Sequence, residues 1–421
     1  MNRVLLIPLI GLFLLVIDYY LFQGVKAASQ SFGTETQRVI KYAYWTFSIL
    51  AISSLFLYFL GNPDSFGKHF RTFLMVGFFA NILSKVFLLL FVLSDDVSRG
   101  VRWAYRNIGS WFGSPELKEA AGTPIPRSEF ISKVGIVAAA VPLVGISWGI
   151  VSGAHDYRVR KRTVYLPNLP TAFDGFRIAQ VSDIHSGSFW NKNAVIGGVE
   201  MVNKEKADVI FFTGDLVNNK ASEMSGYTSV FNKFKAPLGV YSVLGNHDYG
   251  DYVKWKSVEE KQQNLQDLIT LEKQMGWKVL LNENDTIKVD GESLSVIGIE
   301  NWSSFGNFPK HGKLAEAHHG TEESAVKVLL SHDPSHWDAE VVGGQFSDID
   351  LTLSGHTHGM QFGVDIGEVR WSPVQYFYKQ WADLYQKEQQ HLYVNRGFGY
   401  IGYPGRLGIP PEITIIELKK A

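Results

Sequence analysis

Four long apolar stretches in the first third of the chain constrain its fold more than any other feature. They cover residues 4–22, 42–60, 72–93 and about 130–151. A helix needs about 20 apolar residues to cross a hydrocarbon core, and each stretch is close to that length. Because lipid offers no hydrogen-bond partners, a spanning segment must satisfy its own backbone polar groups. The pattern predicts an all-α transmembrane region of four helices over residues 1–155, followed by a soluble domain over residues 156–421.

Two ionisable residues interrupt these stretches, Asp18 in the first and Lys85 in the third. Spans one and three run parallel, so the two side chains can lie at similar depth and form an ion pair. Charged residues inside a membrane are functional candidates by default. The sequence leaves two other interpretations open, a purely structural ion pair and an Asp18 that reaches the interface beside Tyr19 and Tyr20.

Basic residues in the loops predict the orientation of the spans, because cytoplasmic loops carry an excess of lysine and arginine. One side carries Arg3, Lys68 and Arg71, and the other carries Lys26, Arg38, Lys41, Arg99, Arg102, Arg106, Lys118 and Arg127. The basic run over residues 158–162 would nearly level this count, but it leads into a large domain, where the rule is weaker. With that run set aside, both termini are expected outside the cytoplasm.

Composition excludes several kinds of function. The formal net charge is -1 and there is no nucleic-acid-binding signature, so no nucleic-acid partner is expected. The chain contains no cysteine, which excludes disulfides, thiolate metal ligands and cysteine nucleophiles. Any metal must therefore be held by His, Asp, Asn or Glu.

The soluble region alternates short β-rich runs with loops and helices, which is typical of an α/β domain. Five of these runs, at residues 176–181, 207–212, 239–244, 325–330 and 349–353, end in polar side chains. In an open α/β sheet, sites assemble beyond the carboxyl ends of the strands. The candidate site residues at these ends are Asp183, His185, Asp215, Asn246, His247, His332, His356 and His358.

This set of residues suits a centre for two divalent metal ions. Mn, Fe and Zn all accept His, Asp and Asn ligands, so the sequence leaves the metal unspecified. A carboxylate shared by two ions offsets their charge and fixes a separation of about 3.5 to 4 Å. Any one of these strand ends alone is better explained as a turn or cap, but five together predict a dinuclear metal centre.

The ordered blocks D-x-H, G-D, G-N-H-D, H and G-H-x-H resemble the calcineurin-like metallophosphoesterases over residues 176–418. The resemblance implies an α/β fold, a four-layered α/β/β/α sandwich. It also implies that His247 protonates the leaving group and that Asp248 orients the His247 ring. The metal ligands implied are Asp183, His185 and His358 for one ion, Asn246, His332 and His356 for the other, and Asp215 as the bridge.

The tail over residues 393–414 resembles the membrane-associated bacterial branch of this family, which contains phosphodiesterases and UDP-2,3-diacylglucosamine pyrophosphatases. This resemblance implies a phosphorylated small-molecule or lipid substrate and a location in a bacterial inner membrane. The charge count of the loops, not the resemblance, predicts that the catalytic domain is extracytoplasmic. Arg396 and Arg406 are candidates to bind a second phosphate. The alternative is that they pair with backbone or carboxylate groups in a glycine-rich loop.

The sequence thus predicts a membrane-anchored dinuclear phosphoesterase that hydrolyses a phosphodiester or pyrophosphate bond, in a lipid or envelope substrate. The alternative is a catalytically silent calcineurin-fold module, as in the retromer subunit of this fold, that binds or regulates and is coupled to the membrane helices. Retention of His247 beside every apparent ligand favours the enzyme.

Overall fold

The computed structural model describes residues 3–61, 67–111, 125–306, 308–367 and 369–421. The chain forms two compact units, Met1–Ser147 and Trp148–Ala421.

The N-terminal unit is built from long apolar helices. They are α1 (Arg3–Ala28), α2 (Thr34–Leu60), α3 (Lys68–Trp111) and α4 (Glu129–Val151), the last ending just beyond the unit boundary. All four are long and apolar enough to cross a membrane, which confirms the predicted all-α transmembrane region. The helices exceed the apolar stretches, most of all α3, which continues from residue 93 to Trp111. No proline follows residue 93 within α3, so the helix continues where the apolar composition ends.

The predicted pairing of Asp18 with Lys85 is confirmed. Lys85 Nζ lies 2.6 Å from Asp18 Oδ1, which links α1 to α3, and the Asp18 side chain is fully buried. The hydroxyl of Tyr44, on α2, donates to the same Asp18 oxygen at 3.1 Å. A buried carboxylate needs such partners, because an unpaired charge in a low-dielectric environment is costly.

The C-terminal unit contains two six-stranded sheets and a separate two-stranded hairpin. The strands are β1 (Arg158–Leu166), β2 (Arg177–Val181), β3 (Val209–Phe212), β4 (Val240–Ser242), β5 (Trp277–Val279), β6 (Glu283–Val289), β7 (Glu292–Gly298), β8 (Val326–Leu330), β9 (Leu351–Ser354), β10 (Val364–Ile366), β11 (Val369–Trp371), β12 (Asp383–Lys387), β13 (Gln390–Val394) and β14 (Glu412–Lys420). The helices are α5 (Lys192–Lys204), α6 (Thr228–Phe231), α7 (Val258–Gln274) and α8 (Leu314–His318).

The two sheets have different strand orders but similar centres. One runs β1-β14-β2-β3-β4-β5 and the other β12-β13-β9-β8-β7-β6, while β10 and β11 form the hairpin. Strands β2, β3, β4 and β5 run parallel to one another in the first sheet, as β13, β9, β8 and β7 do in the second. Parallel strands share an orientation, so the carboxyl ends of each central group meet at one edge of its sheet.

Alternation of side chains along the central strands produces the layers. In β3, Val209 and Phe211 enter the apolar core between the two sheets, whereas Ile210 and Phe212 pack on the opposite face against helices. Successive residues of a strand point to opposite faces, so a strand buried on both faces is apolar throughout. A third core covers the outer face of the second sheet and includes α8. These layers confirm the predicted four-layered α/β/β/α sandwich.

Several strands lie outside the sequence prediction. Strand β1 pairs in parallel with β14 along all nine of its residues, although its basic composition gave no strand signal. Side chains from other parts of the domain balance this charge, since Arg160 pairs with Asp365 at 2.5 Å and Arg162 pairs with Asp383 at 2.6 Å. The hairpin β10–β11 and strand β12 were also not predicted.

Candidate metal centre

The predicted site residues follow the carboxyl ends of strands from both sheets. Asp183 and His185 follow β2, Asp215 follows β3, and Asn246 follows β4. From the second sheet, His332 follows β8, and the pair His356 and His358 follows β9. The structure brings these seven side chains together where the edges of the two sheets meet.

One group consists of Asp183, His185 and His358, all buried. The Nε2 atoms of His185 and His358 approach to 3.0 Å, and His358 Nε2 lies 3.2 Å from Asp183 Oδ1. Imidazole nitrogens and a carboxylate oxygen that converge in this way, out of contact with water, form a donor set for a divalent ion. The residues present therefore fit the first ion that the family resemblance implies.

The other group consists of Asp215, His332 and His356, with Asn246 beside them. His356 Nδ1 lies 2.8 Å from Asn246 Oδ1 and 3.3 Å from His332 Nε2. The remaining nitrogen of His332, Nδ1, lies 2.7 Å from the carbonyl oxygen of Thr213, to which it can donate a proton. That contact favours the tautomer whose Nε2 lone pair faces the group, as a metal ligand requires.

Asp215 connects the two groups. Its Oδ2 atom lies 3.5 Å from His185 Nε2 and 3.2 Å from His332 Nε2. Its other oxygen accepts a hydrogen bond of 2.8 Å from the backbone N–H of His247. One carboxylate in reach of both histidine sets is the arrangement that a bridging ligand needs.

The backbone at the site is held in an uncommon conformation. Asp183, His185, Asp215, His356 and His358 all have positive φ, between 49° and 70°. Non-glycine residues rarely adopt this region, and it persists at functional sites where surrounding structure enforces it.

Close approach of the loops depends on glycine. A Cβ atom on Gly355 would clash with the Asp183 carboxylate, and one on Gly245 would clash with Asp215. In addition, the backbone N–H of His356 donates to both oxygens of Asp183 at 3.0 Å. The glycines in the G-N-H-D and G-H-x-H blocks thus allow each ligand loop to close over the carboxylate of a neighbouring loop.

Burial and charge shift the ionisation of the ligands in opposite directions. Burial lowers the pKa of His185 well below its usual value, although Asp215 opposes this shift. Burial would also lower the pKa of His332, but the charges of Asp215 and Asp183 outweigh it and raise that pKa to about 10. Burial would raise the pKa of Asp215, but the adjacent histidines hold it well below the usual range. The centre therefore keeps its carboxylates ionised.

The structure brings His247 to the centre but corrects the predicted role of Asp248. His247 Nδ1 lies 2.8 Å from the carbonyl oxygen of Asn218, and this contact, rather than one with Asp248, orients the ring. Asp248 instead accepts backbone N–H bonds from Asp215 and Gly245, both at 2.8 Å, and from two further residues. Burial and the charge of Asp215 raise the pKa of Asp248 to about 7. Its position indicates that Asp248 holds the ligand loops together.

The structure does not support the prediction that Arg396 and Arg406 bind phosphate. Both side chains are buried. Arg396 lies 2.5 Å from Glu412 and 3.0 Å from Asp365. Arg406 donates to the backbone carbonyl oxygens of Gly399, Arg396 and Gly397, and its Nη2 lies 3.2 Å from His358 Nδ1. The open alternative, pairing within a glycine-rich loop, is the one that the structure shows.

Two tyrosines at the centre were not predicted. The Tyr378 hydroxyl lies 2.8 Å from His356 Nε2 and donates to Asp333 at 3.2 Å. The Tyr252 hydroxyl accepts a hydrogen bond of 2.7 Å from the amide nitrogen of Asn246, which leaves the Asn246 oxygen to face His356. Both contacts orient a ligand through its second polar atom. Neither tyrosine belongs to a spaced motif, so only the proximity of Tyr252 to the G-N-H-D block was a signal in the sequence.

The fold, two buried donor sets and a carboxylate within reach of both together define the class of metal-dependent hydrolases. Two family models agree with this class. Residues 2–154 match the description "Probable Calcineurin-like phosphoesterase, transmembrane domain", and residues 176–360 match "Calcineurin-like phosphoesterase". The chain belongs to the calcineurin-like phosphoesterases, which are metal-dependent phosphoric ester hydrolases, and its N-terminal helices match a transmembrane-domain model of such proteins.

Named relatives agree with this assignment. The uncharacterized metallophosphoesterase YkuE of Bacillus subtilis is 29% identical over 302 residues, which cover 70% of this chain and 97% of YkuE. The transmembrane protein with metallophosphoesterase domain of Danio rerio is 29% identical over 295 residues, or 68% of this chain and 63% of that protein. Among solved structures, the NAD nucleotidase of Haemophilus influenzae aligns with 53% of this chain and 50% of its own, at 18% identity and a TM-score of 0.37. That last similarity is too low to bear on function.

Proposed function

We propose that this protein is a membrane-anchored, dinuclear metal-dependent phosphoesterase that cleaves a phosphodiester or pyrophosphate bond in a lipid or envelope molecule. The observation that carries the proposal is the position of Asp215, whose Oδ2 lies within 3.5 Å of histidines from both donor groups. Asp183, His185 and His358 would hold one ion, and Asn246, His332 and His356 the other. When bound, two divalent ions would neutralise phosphate oxygens and supply a nucleophilic oxygen near neutral pH.

His247 is suited to deliver the proton that the leaving oxygen requires. Its Nδ1 atom is held by the Asn218 carbonyl, and Nε2 makes no hydrogen bond within the described residues. The ring is only partly buried, so a substrate can reach it. An imidazole is a suitable general acid because its pKa lies near the operating pH.

Aromatic side chains at the centre support a substrate with an apolar part. The ring centroid of Phe308 lies 5.3 Å from that of His356, and the ring of Tyr252 lies 4.4 Å from that of His247. The ring of Phe305 is 4.7 Å from Tyr378 and is 38% exposed. Since Arg396 and Arg406 are buried, contacts to the rest of the substrate come from such side chains and not from these arginines.

The test is hydrolysis by the detergent-purified full-length protein, loaded in turn with Mn, Fe or Zn. Substrates are bis-p-nitrophenyl phosphate, p-nitrophenyl phosphate and a UDP-linked lipid. We expect turnover of the diester, and of the lipid if the substrate is an envelope pyrophosphate. Metal binding without turnover of any substrate would contradict the enzyme and favour the regulatory module.

The side of the membrane is a separate part of the proposal. The loops between spans one and two and between spans three and four hold the larger share of lysine and arginine, which indicates that they are cytoplasmic. The segment after span four then lies on the opposite side, so we place the catalytic domain outside the cytoplasm. An alkaline phosphatase fused after Ala421 should then be active and a fluorescent protein at the same position dark. A silent phosphatase with a bright fluorescent protein would reverse the orientation and favour a cytoplasmic, nucleotide-linked substrate.

A further inference from the structure

The β10–β11 hairpin turns its apolar face outward and its charged face towards the domain, which is the reverse of what is expected for a hairpin exposed to water. Cross-strand pairs join Val364 to Trp371 and Ile366 to Val369, so these four side chains share one face. All four are exposed, Ile366 by 75% and Val369 by 63%. The face therefore presents an apolar surface to its surroundings.

The opposite face of the hairpin carries charge and turns towards the domain. The third cross-strand pair is Asp365 with Arg370. Asp365 is almost fully buried, 2.5 Å from Arg160 and 3.0 Å from Arg396, while Arg370 lies 2.5 Å from Asp383. These ion pairs fix the hairpin with its charged face inward. The outward apolar face is consequently imposed by the fold.

The apolar surface extends beyond the hairpin on both sides along the chain. Met360 and Phe362, just before β10, are 49% and 38% exposed. Tyr376 and Phe377, just after β11, are 73% and 63% exposed. Large contiguous apolar patches on a protein surface mark sites of interaction with other proteins or with membranes.

The connection to the fourth membrane helix indicates which partner covers this surface. Helix α4 ends at Val151 and β1 begins at Arg158, so six residues join them, a span of roughly 20 Å when fully extended. Arg160 of β1 contacts the hairpin directly through Asp365. The hairpin is therefore tied to the end of a membrane-spanning helix by a short segment.

Backbone hydrogen bonds connect the last turn of α4 to the base of the hairpin. The carbonyl oxygen of Gly149 accepts from the N–H of Arg406 at 3.1 Å. The next residue, Leu407, accepts from the N–H of Gly363 at 2.9 Å, immediately before β10. Because the end of a spanning helix lies at the membrane–water interface, these bonds hold the hairpin near that level.

We infer that the apolar face of the β10–β11 hairpin, together with Met360, Phe362, Tyr376 and Phe377, rests in the interfacial layer of the lipid bilayer. Tryptophan and tyrosine are enriched at this level, where an apolar ring body meets a polar edge, and Trp371 and Tyr376 fit that role. Since His358 precedes Met360 by two residues, the hairpin holds the metal centre close to the lipid surface. The inference concerns position and holds whether or not the proposed reaction is correct.

The absence of native cysteine allows a direct test on the full-length protein. An environment-sensitive fluorophore is attached to Ile366→Cys, and separately to Lys288→Cys, an exposed position on the unrelated β6–β7 hairpin. Both variants are placed in phosphatidylcholine–phosphatidylglycerol nanodiscs, one copy in each. Nitroxide-labelled lipid and aqueous iodide serve as quenchers.

We expect the label at position 366 to emit at shorter wavelength and to be quenched several-fold more by nitroxide lipid than by iodide, with the reverse order at position 288. Equal quenching patterns at the two positions would overturn the inference. A label at 366 shielded from both quenchers would also overturn it, because another part of the chain would then cover the face. Neither readout depends on hydrolysis, so failure of the phosphoesterase assay leaves this test unaffected.

Discussion

Replacement of His247 with alanine separates catalysis from metal binding. Among the described residues, the His247 ring makes one hydrogen bond, to the Asn218 carbonyl, and neither ring nitrogen bonds to a proposed ligand. The hydrogen bond from residue 247 to Asp215 is made by the backbone N–H and survives in His247→Ala. We therefore expect the variant to retain both metals.

The expected loss is that of a general acid alone. A positioned acid contributes about 10² to 10⁴-fold in rate, or roughly 3 to 5 kcal/mol of barrier. His247→Ala should lose that much with a substrate whose leaving group is an alkyl alcohol. The loss should be much smaller with a p-nitrophenyl ester, because p-nitrophenol departs without needing a proton.

The assay measures kcat/KM for a p-nitrophenyl ester and an alkyl ester, with bound metal quantified by plasma emission spectrometry. His319→Ala, at an exposed histidine away from the centre, is the matched control and should resemble the wild type. Loss of metal together with activity would identify His247 as a ligand. Equal losses on both esters would refute the acid role and indicate electrostatic stabilisation of the phosphoryl group.

Three further predictions follow from contacts at the centre. Asp215→Asn should lower bound metal and reduce turnover at least about 10²-fold, because it removes the shared carboxylate. The control Asp267→Asn, at an exposed position, should have no effect. Normal turnover in Asp215→Asn would exclude the dinuclear centre. Arg396→Gln should destabilise the fold by about 3–5 kcal/mol in denaturant titrations, since it removes the cation that lies nearest to the buried Glu412 and pairs with Asp365. A stable variant with a raised KM would instead restore the phosphate-binding role. Metal affinity should increase as the pH is raised towards 10, by up to about tenfold per pH unit. The reason is that His332, with a pKa of about 10, must lose its proton before it can bind the metal. Calorimetry that shows the same affinity at pH 6 and pH 8 would contradict this.

The sequence predicted which polar side chains lie together because its signals are local. Asp183, Asp215 and His356 each stand directly after a short apolar run, and parallel strands bring such ends together whatever the details of the loops. The layer architecture followed from the same runs. In β3, four consecutive apolar residues required burial on both faces of the sheet.

Contacts that depend on side-chain direction could not be predicted in this way. Asp248 lies next to His247 in sequence, but neighbouring residues in a loop diverge, and the Asp248 carboxylate turns to the backbone of the Asp215 loop. Arg396 and Arg406 lie among glycines that suggest an open loop, yet both are buried. Arg396 pairs with carboxylates from other segments, and Arg406 donates to carbonyl oxygens of its own loop. Glu412 is sixteen residues from Arg396, and no local pattern indicates that they meet.

The predicted helix ends and edge strands failed for a related physical reason. Helix α3 continues beyond residue 93 because helical propensity does not require an apolar sequence. Strand β1 carries alternate basic residues whose carboxylate partners, Asp365 and Asp383, lie about two hundred residues later. Strand β1 is therefore a polar segment whose structure is determined by tertiary contacts.

The position of β1 also bears on the orientation of the membrane helices. The basic run over residues 158–162 would nearly cancel the charge difference between the two sides if it were a loop beside the membrane. It is instead part of an edge strand, hydrogen-bonded to β14 and paired with Asp365 and Asp383. Charges inside a large folded domain have little influence on orientation, because such domains translocate largely regardless of their charge. Counting only the loops between spans is therefore the appropriate comparison, and that count supports the proposal that the phosphoesterase domain lies outside the cytoplasm.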